Sequence, residues 1–179
     1  MLTCLLFDSE STFATPLNFL CEAQMTKAAR AYDIPINILY SVGLTETGHD
    51  GGLNPFDMNI DGRAVHSDTL AEALERFAEA KAHGAKLIDV GCMQINHHYH
   101  AQNFASLRDM FDPAQNVNYA ASFLKRLRQE EGSWTLAVAR YNAGPDNTVA
   151  QHRYVCAVIE HMVASGTGAW TPQALEFCR

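Results

Sequence analysis

The stretch from Asp112 to Gly132 admits only one local structure. Asp112-Pro113 sets a capping residue before a proline, and a proline's missing N–H costs nothing at the first helical position. Val117, Ala120, Ala121, Leu124 and Leu127 then recur at spacings of three and four, while Lys125, Arg126, Arg128, Glu130 and Glu131 fall on the other face. Gly132 supplies the stop. A helix of about five turns with one apolar face must be covered by other helices.

The rest of the chain supplies them. Leu17, Leu20, Cys21, Met25, Ala28, Ala29 and Tyr32 form a second stripe at helical spacing, broken by Asp33-Ile34-Pro35. Ile36, Leu39, Tyr40, Val42 and Gly43 carry a helix into Glu46. After it come Thr47-Gly48-His49-Asp50-Gly51-Gly52. Leu70, Ala73, Leu74, Phe77 and Ala78 face inward on a helix capped by Ser67 or Asp68 and ended by Gly84. Ser133 caps Trp134 to Tyr141, Asn142-Ala143-Gly144-Pro145 stops it, and a long helix runs from about Thr148 to Ala164. Gly166 and Gly168 end that helix, and a tail from Trp170 to Arg179 carries a short helical segment.

Two segments break the helical pattern. Asp57 to Val65 alternates around Asp61-Gly62, a hairpin signal. Leu87 to Asn96 has no amphipathic period and reads as a buried, irregular segment that aims two amides, Gln94 and Asn96. The expectation is a mainly α, α+β domain with a small β-hairpin excursion. Residues 1–16 form a flexible lead-in and 17–179 a single domain, with no repeat or linker.

Composition narrows the function. A chain of 179 residues with 47% hydrophobic and 18% charged residues can bury a sizeable core. A net charge of -7 without a basic stripe argues against a nucleic-acid partner. No apolar run reaches the ~18 residues of a membrane-spanning helix. Met1 to Phe7 is apolar but lacks a leading Lys or Arg, so no complete signal peptide is read here. Five cysteines without a C-x-x-C pair disfavour a zinc ribbon. They stay thiols in the cytosol or pair after export. An odd count leaves one thiol free, and Cys4 in the lead-in is the candidate.

Glu46 is the residue with chemical promise. A glutamate in the last turn of a helix sits at the wrong end of the macrodipole. With apolar neighbours, that placement raises its pKa. A carboxylic acid still protonated near neutral pH suits general-acid cleavage of a glycosidic bond. The plain alternative is a solvated glutamate at a helix end.

Three pieces then occur in order: Glu46-Thr47-Gly48, Gly91-Cys92-Met93-Gln94-Ile95-Asn96, and Ala139-Arg140-Tyr141-Asn142-Ala143-Gly144-Pro145. Together they resemble the lytic transglycosylases (SLT domain) of the lysozyme-like superfamily. The resemblance is closest to the small specialised members that accompany secretion, pilus or flagellar machines, and it is clearest over 21–154. It implies a lysozyme-like fold with the hairpin beside an active-site cleft. It also implies cleavage of the β-1,4 bond between N-acetylmuramic acid and N-acetylglucosamine without water, giving a 1,6-anhydro sugar. Glu46 matches the single catalytic acid/base. Gln94, Met93 and Tyr141 match family motif positions: the resemblance sets Gln94 along the glycan groove, Met93 as apolar packing that keeps Glu46 protonated, and the Tyr141 hydroxyl as support for the acetamido group or the acid. Thr47, Asn59, Asn96 and Asn142 are expected to shape or contact substrate with them. No cofactor is implied. A monomer in the periplasm or exported is expected.

Two departures matter. Thr47 stands where the family usually has Ser, which keeps the hydroxyl. Cys92 replaces a common Leu, and in the resembling subgroup such a Cys accompanies an early one. A Cys21–Cys92 disulfide follows from the resemblance, with Cys156–Cys178 closing the tail onto the last helix.

Other readings compete. His97, His98 and His100 invite a metal, yet no fixed His-Glu-x-x-His partner exists, so the histidines are read as lining the groove. Asp50, Asp57 and Asp61 are candidate second carboxylates for a water-using muramidase, although loop Asp usually serves turns. A non-catalytic peptidoglycan-binding module is the remaining alternative.

Overall fold

A computed structural model describes residues 19–48 and 52–179. The expected lead-in with Cys4, and Leu17, His49 and Asp50, lie outside the described residues. Among the described residues the chain forms nine α-helices and one four-stranded antiparallel sheet.

Five helices close a ring. α1 (Leu20–Tyr32) packs on α6 (Pro113–Glu131), α6 on α7 (Trp134–Asn142), α7 on α8 (Thr148–Ala164), α8 on α2 (Ile36–Thr47), and α2 back on α1. Each turns its apolar stripe into one core, where Met25, Leu39, Val42, Val117 and Leu124 are wholly buried. Gly43 lets α1 and α2 meet closely, since a Cβ there would stand 2.4 Å from the Met25 methyl.

The helix punctuation follows local chemistry. Asp112 accepts from Gln115 N–H at 2.9 Å, Ser133 accepts from Leu136 N–H at 3.2 Å, and Gly132 closes α6 at φ 76°. The cap of α3 (Leu70–Ala82) needs correction. Thr69, not Ser67 or Asp68, accepts from Glu72 N–H, and Glu72 reaches back to Asp68 N–H at 2.9 Å. The cap thus falls one residue later than expected, with Glu72 satisfying the N–H just before it, and Ser67 is buried instead.

β1 (Met58–Ile60) and β2 (Arg63–Val65) form the expected hairpin. Asp61 and Gly62, at φ 48° and 88°, make its two-residue turn. The segment expected to be irregular is a second hairpin, β3 (Ile88–Val90) and β4 (Ile95–Asn96), and the sheet order is β2-β1-β3-β4. Strands of three and two residues are too short for alternation to register in the sequence. α4 (His97–His100), α5 (Leu107–Phe111) and α9 (Pro172–Phe177) complete the chain.

Both expected disulfides are formed. Cys21–Cys92 ties α1 to the β3–β4 turn, and Cys156–Cys178 ties α8 to the residue after α9. No helix among the described residues is long and apolar enough to cross a membrane.

Candidate active site

The sheet's two-residue alternation sorts the site from the core. Ile88 and Val90 are buried, so Asp89 between them takes the other face. The register sets Asn59, Asp89 and Asn96 opposite one another in a row across β1, β3 and β4. Asn96 Nδ2 donates to Asp89 Oδ1 at 2.6 Å, and its Oδ1 caps α4.

The β3–β4 turn, Gly91 to Gln94, is held from several sides. Gly91 has φ 79°, and a Cβ there would lie 2.6 Å from Asn116 Nδ2, so glycine is required twice over. Asn116 is wholly buried on α6 and fully used. It accepts from Met93 N–H at 2.9 Å and donates to Val90 O at 2.9 Å and Met110 O at 2.8 Å. Thr47 donates to Cys92 O at 3.1 Å, joining the end of α2 to the same turn. Tyr141 donates to Met93 O at 2.9 Å from α7. Gln94, at φ 43°, donates through Nε2 to Asp57 O and Gly91 O, which fixes the amide's orientation.

Glu46 lies in the last turn of α2 and faces this assembly across a cleft of about 310 Å³. Asp89, Gln94, Asn96, Tyr141 and Asn142 line the same cleft, with Tyr99, His100 and Phe123 forming an aromatic wall. Tyr154, buried on α8, donates its hydroxyl to Glu46 Oε1. Burial pushes the Glu46 carboxyl up, the Tyr154 hydrogen bond draws it partly back, and the charge of Asp89 raises it again, leaving a pKa of about 8. Because Oε1 already accepts from Tyr154, the acid proton belongs on Oε2. Asp89 is also raised, chiefly by burial, against the Asn96 hydrogen bond.

The residues expected to contact substrate divide into two groups. Glu46, Gln94, Asn96, Tyr141 and Asn142 meet at the cleft. Thr47 and Met93 are buried in the supporting fabric. Asn59 shares the Asp89 face one strand further out, but its Oδ1 accepts from Gly62 N–H at 2.8 Å and it does not line the cleft. Of the aspartates offered as second carboxylates, the two among the described residues serve elsewhere. Asp61 accepts from Leu87 N–H at 2.9 Å, and Asp57 faces His66 at 2.9 Å. The three histidines part company: His97 packs on Phe77, His98 is exposed, and His100 enters the cleft.

Sequence reasoning missed Tyr154, Asp89 and Asn116 as working residues. Asp89 had a readable signal, since a carboxylate flanked by Ile and Val in a buried run needs a reason to be there. Tyr154 had a weaker one: a phenol at a core position of a long helix must find a hydrogen-bond partner. Asn116 had none, because its three partners come from two distant segments, the β3–β4 hairpin and α5.

A helix ring and a small antiparallel sheet, with a glutamate of raised pKa in the cleft between them, fit the lysozyme-like class. The family described as Transglycosylase SLT domain matches residues 25–158, and the chain belongs to it. Its activity is that of a lytic transglycosylase, a lyase acting on peptidoglycan. No curated protein and no solved structure matches the chain.

Tyr154→Phe tests the contact on Glu46. Removing a hydrogen bond that draws the pKa down is expected to raise it further, moving the alkaline limb of the pH–rate profile upward. Loss of orientation is expected to lower kcat by about 10–100-fold. Steady-state rates against pH check both.

Proposed function

We propose that Glu46 is the single acid/base of a non-hydrolytic cleavage of the bond between N-acetylmuramic acid and N-acetylglucosamine. The observation that carries this reading is the placement of Glu46, whose carboxyl accepts from Tyr154 at the edge of an open cleft where burial raises its pKa to about 8. Glu46 gives its Oε2 proton to the bridging oxygen as the C1–O bond breaks. The substrate's own 2-acetamido oxygen covers the electron-poor C1. The resulting Glu46 carboxylate then takes the C6 hydroxyl proton as O6 closes on C1 and displaces that oxygen. The product is the 1,6-anhydro sugar, and Glu46 regains its proton. Gln94, Asn96 and Asn142 offer donors and acceptors to the sugar rings, and Tyr141 holds the turn that presents Gln94.

Digestion of purified sacculi with the products weighed tests this. Muramic ends lighter by one water are the expected result; ends that have gained a water would exclude the anhydro route. One observation favours a second reading, a water-using muramidase. Asp89 shares the cleft with Glu46 and could support attack by water. Asp89→Asn separates the two: the anhydro route keeps its product, whereas a hydrolase loses most of its rate.

Two disulfides and a peptidoglycan substrate favour action in the periplasm or after export. The resemblance to specialised family members suggests service to an envelope-spanning machine, with the enzyme opening the wall where the assembly passes.

A further inference from the structure

We propose that His100 is a substrate-binding residue, a neutral imidazole whose Nε2–H donates to an oxygen of the bound N-acetylated glycan, with its tautomer fixed by Tyr119 and Asn103. The inference rests on the peptidoglycan reading for its ligand and on a chain of hydrogen bonds for its chemistry.

The chain begins at Asn103. Its Nδ2 lies 3.1 Å from the His100 main-chain oxygen, which can only accept, so the amide group must point that way. The same Nδ2 lies 3.2 Å from the Tyr119 hydroxyl oxygen. That oxygen therefore accepts from Asn103, and its own proton is free to be given onward. The acceptor is His100 Nδ1, 2.8 Å away. Within the protein, His100 Nδ1 is the acceptor in reach of the Tyr119 proton among the described residues. A bare Nδ1 lets the Tyr119 proton be used within the protein, and in the neutral ring the remaining proton then sits on Nε2. Burial and the Arg126 guanidinium both hold the His100 pKa below its usual value, which agrees with a neutral ring.

Nε2 is the end of the ring left for a ligand. It has no protein partner among the described residues and is not a buried orphan, and His100 lines the cleft that holds Glu46. The ring cannot swing easily, because it packs between Tyr119 and Phe123, with centroids 5.5 and 5.4 Å away. Tyr99, 60% exposed, stands beside it as a surface on which a sugar ring can lie. A fixed donor beside an aromatic face suits an acetamido carbonyl or a ring hydroxyl.

The test uses the full chain carrying Glu46→Gln, so that glycan is bound and not consumed. The probe is a soluble tetrasaccharide of alternating N-acetylglucosamine and N-acetylmuramic acid. Long-range 15N–1H spectra of the free protein are expected to show His100 with bare Nδ1 and protonated Nε2. The tetrasaccharide is expected to shift the Nε2 resonance. His100→Phe, which keeps the ring packing, is expected to weaken binding by about 3–10-fold, the worth of one hydrogen bond. Tyr119→Phe, which frees the tautomer, is expected to weaken it by a smaller factor. A free-state spectrum with the proton on Nδ1 overturns the inference without touching the proposed function. So does tetrasaccharide that binds with the Nε2 resonance unmoved and equal affinity for His100→Phe. Failure of the Glu46→Gln chain to bind tetrasaccharide, together with intact sacculi under the unmutated enzyme, overturns the function and the inference with it.

Discussion

Replacing Glu46 by Gln is expected to lower glycan cleavage by about 10²–10⁴-fold while leaving binding to sacculi intact. Gln keeps the shape and can still accept from Tyr154, but it has no acid proton to give. The same substitution carries a stability signature whose sign is fixed by the pKa. Unfolded, Glu46 ionises near 4.5, as an ordinary glutamate does; folded, it holds its proton to about 8. Between those values the unfolded chain binds fewer protons, so Glu46 costs the native state progressively more as pH rises through that window. Glu46→Gln removes this cost. The inactive variant is therefore expected to match the unmutated enzyme near pH 4 and to exceed it by up to a few kcal/mol near pH 8. Thermal melts at the two pH values, beside turbidity loss of sacculi, check both halves. A variant that is inactive but less stable at pH 8 would mean that the substitution damages the fold.

Asn116→Leu is expected to destabilise the protein by about 3–5 kcal/mol, through three groups at once. Met93 N–H, Val90 O and Met110 O each lose their Asn116 partner in a buried site. Leu fills the volume without meeting any of them. Asn116→Asp is a sharper version, since it keeps the acceptor for Met93 N–H but turns an oxygen toward two carbonyls. Urea unfolding with the disulfides intact measures the loss. Activity is expected to fall at temperatures where the chain is still folded, because the turn that sets Met93 and Gln94 loses its clamp to α6. Full activity in a destabilised variant would show that the turn holds its shape without Asn116.

The helices were legible because each carries a long period and distinct ends. Asp112-Pro113 and Gly132 bound α6 as read, and the five inward residues of that helix are all buried. The first hairpin was legible because Asp61-Gly62 is a turn in its own right. The second was hidden, since its strands are two or three residues long and its turn uses a positive φ at Gln94, which nothing local announces. Within the site, the position of Glu46 at a helix end was readable, but its hydrogen-bond partner was not. The Tyr141 hydroxyl, expected to support the acetamido group or the acid, secures Met93 O. Tyr154, 108 residues away from Glu46, makes the contact. Pairing across that distance is decided by how α8 lies on α2, a property of the closed ring and not of either helix.

The protonation state of Glu46 can be observed without substrate. With 13C label in the glutamate carboxyls, assigned through the Glu46→Gln spectrum, the Glu46 resonance should titrate at about pH 8 in the free enzyme. Titration near the ordinary value of about 4.3 would leave the cleft without an acid at neutral pH and would contradict the mechanism proposed here.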